Sequence, residues 1–132
     1  MIGLDTNVLV RLYAADDAAQ RRRALDLIEA LPDGEHAVVN IVVIVELMWT
    51  LRRAYRFDAD SLAVVARHLT EHVRLFVPEK DLLREAVHRA RETGGDIPDH
   101  LIALLNRRHG AAVTYTFDAG VAKAEDFALL RN

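Results

Sequence analysis

Four carboxylates stand where their type and spacing point to chemistry. Asp5 closes the stretch MIGLD and Asp118 closes AVTYTFD, and each leads directly into a helix-like segment. Asp99 sits in GGDIPDHLIALLNRR, in the first turn of an apolar-faced helix. Glu46 is the lone carboxylate of NIVVIVELMWTL, with Val42, Val43, Trp49 and Thr50 as its helix-face neighbours. An ionised carboxylate taken out of water costs several kcal/mol, so a buried Glu46 demands compensation. An arginine partner is the structural solution. A cation shared with other acids is the functional one, because it replaces the lost hydration and keeps the group ionised.

Each of the other three acids has an ordinary explanation when taken alone. Asp is among the best helix N-caps, worth about 1 kcal/mol. An acid in a first turn gains roughly 0.3–1 kcal/mol from the helix dipole. Two acids at the ends of buried strands, a first-turn acid and a mid-helix acid together favour one shared site. Asp96 is the expected N-cap before Pro98 and a supporting residue for that site.

Four carboxylates without cysteine or patterned histidine suit a hard cation, Mg²⁺ or Mn²⁺, over zinc. Such a cation lowers the pKa of a bound water, positions it and screens charge on a phosphate. The chemistry implied is phosphodiester hydrolysis. There is no GK[ST] phosphate loop and no GxGxxG after a strand, which argues against a P-loop NTPase or a dinucleotide fold. HLTEH at 68–72 matches a short zinc-peptidase pattern but lacks a third ligand, and a solvated helix face is the better reading. A histidine acid–base pair would leave the strand-end acids unexplained.

The elements that must position these acids alternate. IGLD reads as a buried strand, Thr6–Ala14 as a helix and Asp16–Leu31 as a second, amphipathic helix. PDG at 32–34 is a turn and HAVVN a strand. Asn40 then caps a helix running through Tyr55, although the β-branched run Val38–Val45 also suits one long strand. Asp58–Val73 reads as a helix, LFVP as a strand, Glu79–Thr93 as a helix stopped by Gly94-Gly95, and Ile97–His109 as a helix with Pro98 in its first turn. AAVTYTF is a strand, and the tail holds a short helix and an edge strand near FALL. Alternation of this kind predicts an α/β fold with a parallel sheet. Sites in such folds form at the carboxyl ends of strands, where Asp5 and Asp118 fall.

With 132 residues, 52% of them apolar, and no cysteine, the chain suits one domain in a reducing cytoplasm without disulfides. MIGLD has no basic segment followed by a long apolar run, so no signal peptide is expected. The longest apolar stretch, 40–51, is broken by Asn40 and Glu46 and falls short of the ~20 residues of a membrane span. A net charge of −3 argues against a nucleic-acid binder at first sight. Setting aside the four site acids leaves 16 acids against 17 basic residues, so the remainder is slightly basic. Trp49 is expected in the core, and Arg21–Arg23 on a solvated helix face, with phosphate binding as the alternative.

Four blocks carry a resemblance: LDTNVLVRLY at the start, VELMWTLRRAY at 45–55, DIPDHLIALLNRRHGA at 96–111 and VTYTFD at 113–118. Their order and spacing resemble PIN-domain ribonucleases, in particular VapC-type toxins of bacterial toxin–antitoxin pairs, over essentially the whole chain. The resemblance implies a PIN-like α/β/α sandwich with a central parallel β-sheet, a single PIN domain over 1–132. It implies an acidic pocket in which Asp5, Glu46, Asp99 and Asp118 are catalytic and hold Mg²⁺ or Mn²⁺, with Asn7, Thr116 and Asp96 in support. The activity implied is an endoribonuclease that cuts single-stranded regions of tRNA or rRNA. A homodimer and a cognate VapB-type antitoxin that blocks the pocket are the implied partners. Arg11, Arg52, Arg53 and Arg56 are candidate contacts to RNA or antitoxin. His100 stands where a small residue is common, and contact with a neighbouring helix is expected of it rather than contact with RNA. Two other readings keep the same residues: a housekeeping RNA-processing PIN nuclease, and a non-enzymatic metal-binding regulatory module.

Overall fold

The computed structural model describes residues 1–131. The chain divides into two compact units, Met1–Lys80 and the segment from Asp81 onward.

In the first unit, β1 (Ile2–Gly3) leads to α1 (Thr6–Tyr13) and α2 (Ala18–Glu29). Then come β2 (Ala37–Val38), α3 (Ile41–Ala54), α4 (Ala59–Glu71) and β3 (Leu75–Phe76). The strands form a parallel sheet in the order β1-β2-β3, with Ile2 opposite Ala37 and Ala37 opposite Leu75. Helical crossovers return the chain to the same edge each time, as parallel pairing requires.

The β-branched run before Glu46 is helical. Asn40 takes an extended backbone and its Oδ1 accepts the Val43 N–H at 3.0 Å, which stops β2 and starts α3. Packing completes the choice. Val43, Ile44, Leu47, Met48 and Leu51 are buried at helical spacing, while Val42 faces solvent. Leu9 of α1 and Leu69 of α4 are fully buried as well. Asp17 and Asp58 cap α2 and α4 through the N–H groups of Gln20 and Ser61.

From Asp81 on, α5 (Lys80–Thr93) and α6 (Ile97–Arg108) precede β4 (Thr114–Thr116) and β5 (Phe127–Leu129). These two strands pair in parallel, Thr114 opposite Phe127, and a 3-10 turn (Val121–Lys123) lies in their connection. Leu82, Leu83, Ala86, Ile97, Leu101, Ala103 and Leu104 are buried in this unit. Asp126 is 3% exposed, and its carboxylate receives Arg89 of α5 and Arg107 of α6. The two guanidinium groups compensate its lost hydration and tie both helices to the start of β5.

Most expected boundaries hold within two or three residues. Asp96 differs: it occupies the N-cap position of α6, but its side chain makes no capping hydrogen bond, and only its backbone carbonyl receives the N–H groups of Asp99 and His100. Trp49 is only half-buried, and Arg53 lies over its ring at 4.2 Å, so the ring is shared between core and surface. Among the described residues no helix is long and apolar enough to cross a membrane.

Candidate active site

Asp5 follows β1 and caps α1. Its backbone is extended, and Oδ1 accepts the Thr6 N–H at 2.8 Å. Thr6 also donates its hydroxyl to Glu46 Oε1 at 2.9 Å, reaching from α1 to α3. One nearly buried residue therefore holds two carboxylates that lie 41 positions apart in the chain. The second oxygen of each takes no part in these bonds. Among the described residues, no lysine, arginine or histidine pairs with Asp5 or Glu46.

The expectation of a buried Glu46 is corrected here. The side chain is exposed, on the side of α3 turned away from Ile44, Leu47 and Leu51. A helix with a buried face of this width leaves the intervening positions in solvent. Glu46 thus needs no compensation for burial, and it neither enters the core nor pairs with an arginine.

Asp118 follows β4, as Asp5 follows β1. Its Oδ1 accepts the N–H groups of Gly120 at 2.8 Å and Val121 at 3.2 Å, and its own N–H donates to Thr116 Oγ1 at 3.0 Å. Thr116 therefore orients Asp118 through the backbone. A Cβ at position 120 would lie 3.2 Å from Asp118 Oδ1, so Gly120 leaves room for the carboxylate in this tight turn. Asp99 is half-buried in the first turn of α6 and lines, with Gly120 and Val121, a recess of about 20 Å³. The second unit thus places Asp99 beside the Gly120–Val121 turn that follows Asp118.

His100 is buried and bonds Gly94 O through Nε2 at 2.8 Å. It anchors the loop that leads into Asp99, where the sequence suggested contact with a neighbouring helix. Gly95 adopts φ +83°, and a Cβ there would meet His100 Nε2 at 3.3 Å. Both the left-handed backbone and the close imidazole call for glycine.

Asn7, in the first turn of α1, is exposed, and its amide has no partner among the described residues. Arg11 is held by Asp16, Gln20 and Tyr55. The Tyr55 hydroxyl and the Asp16 carboxylate raise its pKa further above the guanidinium range. Arg52, Arg53 and Arg56 are exposed at the end of α3, with Arg53 stacked on Trp49 and Arg56 in left-handed backbone at φ +57°.

The PIN-domain family model matches residues 2–126. The chain belongs to the PIN-domain family. PIN domains are generally nucleases, and the mixed α/β architecture with parallel strands is consistent with the family. No curated protein sequence matches the chain.

The PIN-domain donor set suits a divalent cation. Asp5 and Glu46 place carboxylates on one threonine with no countercharge, and all available donors are oxygen, the chemistry Mg²⁺ and Mn²⁺ select. Within neither unit do three Asp, Glu or His side chains of the described residues close on a single point. Thr6 was not singled out from sequence. Its signal was available as a hydroxyl immediately after the strand-end Asp5, in a helix first turn, where a side chain is free to serve a neighbour instead of the helix.

Proposed function

We propose that this PIN-domain protein is a Mg²⁺- or Mn²⁺-dependent endoribonuclease and the toxin of a toxin–antitoxin pair. The observation that carries the reading is the pairing of Asp5 and Glu46 on Thr6 without a countercharge. Two anionic groups held this way repel one another unless a cation joins them. Asp5, Glu46, Asp99 and Asp118 are the proposed ligands and catalytic residues of the single PIN domain. The cation, when bound, activates water and screens the charge that develops on the phosphate.

The chain's own residues do the positioning. Thr6 holds one oxygen each of Asp5 and Glu46, and the other oxygens stay available as ligands. The N–H groups of Gly120 and Val121 hold one oxygen of Asp118, Thr116 accepts the Asp118 N–H, and His100 steadies the loop before Asp99. Asn7 offers an amide beside Asp5 for the substrate backbone, and Asp96 is the proposed supporting residue next to Asp99. The proposed products carry 5′-phosphate and 3′-hydroxyl ends, and the proposed targets are single-stranded regions of tRNA or rRNA. A VapB-type antitoxin, a homodimer and a cytoplasmic location complete the reading. Arg11, Arg52, Arg53 and Arg56 are its candidate RNA or antitoxin contacts.

The test is expression of the chain alone and together with its neighbouring small gene, followed by mapping of new 5′ ends in cellular RNA. Growth arrest, relieved by the neighbour, with new 5′-phosphate ends at discrete sites is the expected result. New ends without arrest would identify a housekeeping RNA-processing nuclease. Metal binding without RNA turnover would leave only a regulatory module.

A further inference from the structure

We infer that the groove between α1 and α2 is a subsite for one base and phosphate of single-stranded RNA flanking the scissile bond, an inference that rests on the ribonuclease reading. The groove has a volume of about 280 Å³. That lies just below the range of pockets for drug-sized ligands and suits a single planar ring system. Val8, Ala24 and Leu27 line it with apolar surface, and Asn7, Arg11, Gln20 and Arg23 line it with polar groups. A flat apolar surface with hydrogen-bonding groups at its edge is what an unstacked base requires.

Asn7, Gln20 and Arg23 keep donors free for a ligand. Gln20 Oε1 accepts Arg11 Nε at 2.6 Å, which fixes the amide, and its NH₂ has no partner among the described residues. The Asn7 amide is likewise unpartnered among the described residues. The arginines differ from one another. Arg11 is neutralised by Asp16, and Arg22 by Asp26 and Glu29. Arg21 donates to the carbonyl of Leu12. Arg23 has no ion pair among the described residues and borders the groove. Arg21 has no ion pair among the described residues either, but it borders a different groove, so Arg23 is the uncompensated arginine of the Arg21–Arg23 run that borders this one, with its charge available to a phosphate and its plane to a base.

Position links the groove to the site acids. Asn7 follows Asp5 by two residues, about 3 Å along the axis of α1 at ~1.5 Å per residue. Asn7 also lines the groove, so the groove begins at the Asp5 end of α1. Leu27 is 45% exposed at the far end, so the groove is open to a continuing strand. A duplex, with its bases stacked inward, cannot deliver a base to it.

The experiment uses the full chain in EDTA and reads fluorescence anisotropy with a labelled single-stranded RNA 12-mer and its duplex. Arg23→Ala and Leu27→Ser change exposed side chains and should leave the fold intact, which circular dichroism checks. Each is expected to weaken single-strand binding by about tenfold, the effect of losing one base or phosphate contact, while Arg22→Ala changes it less than twofold. With Mg²⁺ added, Arg23→Ala is expected to raise KM with kcat retained. Wild-type affinity in both groove variants, equal binding of single strand and duplex, or no binding of the single strand would overturn the subsite. Wild-type affinity for RNA together with a measured affinity for an amphipathic peptide lost in Leu27→Ser would overturn it in favour of a protein occupant. Binding at the groove without any cleavage defeats the ribonuclease reading and leaves the subsite standing. Cleavage with an unchanged KM does the reverse.

Discussion

The Thr6 hydroxyl donates to Glu46 Oε1 at 2.9 Å, while the Thr6 backbone N–H donates to Asp5 Oδ1 at 2.8 Å. This makes Thr6 a positioning residue for two acids at once. Replacing it separates the two functions, because the backbone donor survives any substitution and the hydroxyl does not. Thr6→Val should lower kcat about tenfold with KM little changed, and Thr6→Ser should restore it. The loss of stability should stay near 1 kcal/mol, the typical net value of one hydrogen bond. Wild-type kcat in Thr6→Val would show that Glu46 needs no such hold.

Asp5→Asn isolates charge from capping. Asn caps a helix as well as Asp does, so unfolding by urea should shift by less than about 0.5 kcal/mol. Cleavage should nonetheless fall at least about 100-fold, because the amide is a poor ligand for a hard cation. Asp118→Asn and Glu46→Gln should behave alike, and EDTA should abolish wild-type activity until Mg²⁺ or Mn²⁺ is restored. Activity that survives both Asp5→Asn and EDTA would remove these acids from the mechanism.

The Asp126 clamp carries stability and no proposed chemistry. Its carboxylate is nearly inaccessible, while Arg89 and Arg107 are 26% and 48% exposed at their side chains. Removing both arginines strands a buried charge, whereas removing Asp126 leaves two cations that can rehydrate. The double variant Arg89→Ala/Arg107→Ala should therefore destabilise by about 3 kcal/mol, and Asp126→Asn by less. Chemical denaturation of both variants checks the order, and the reverse order would contradict it.

His72 sets an acid-sensitive step in stability. Burial lowers its pKa below the ordinary histidine value of 6.5, with help from neighbouring His68 and Arg74. Its Nδ1 also accepts the Arg74 N–H at 3.0 Å, a bond that only the unprotonated nitrogen makes. Above about pH 6.5 the imidazole is neutral in both folded and unfolded chains, so it adds no pH dependence. Below that, the unfolded chain binds the proton first and stability falls until the folded imidazole is protonated too. Thermal unfolding between pH 7.5 and 5 should show this decline, and His72→Gln should flatten it. The depressed carboxyls of Asp16, Glu35 and Asp58 act in a separate, more acidic window.

The sequence by itself determined the alternation of strands and helices, the parallel pairing and the strand-end positions of Asp5 and Asp118. These follow from local rules: period-2 and period-3.6 patterns, and a capping residue such as Asn40 that overrides a β-branched run. The four motif blocks carried the family. Tertiary structure alone decided how exposed Glu46 is, because a greasy segment does not say which of its faces meets the core. It alone joined Thr6 to Glu46 and buried Asp126 between Arg89 and Arg107, contacts that span 40, 37 and 19 positions of sequence. It also sorted the arginines, pairing Arg11 and Arg22 with acids and leaving Arg23 at the rim of a groove. Such contacts depend on which helix faces are packed side by side, and no spacing rule within a single element contains that information.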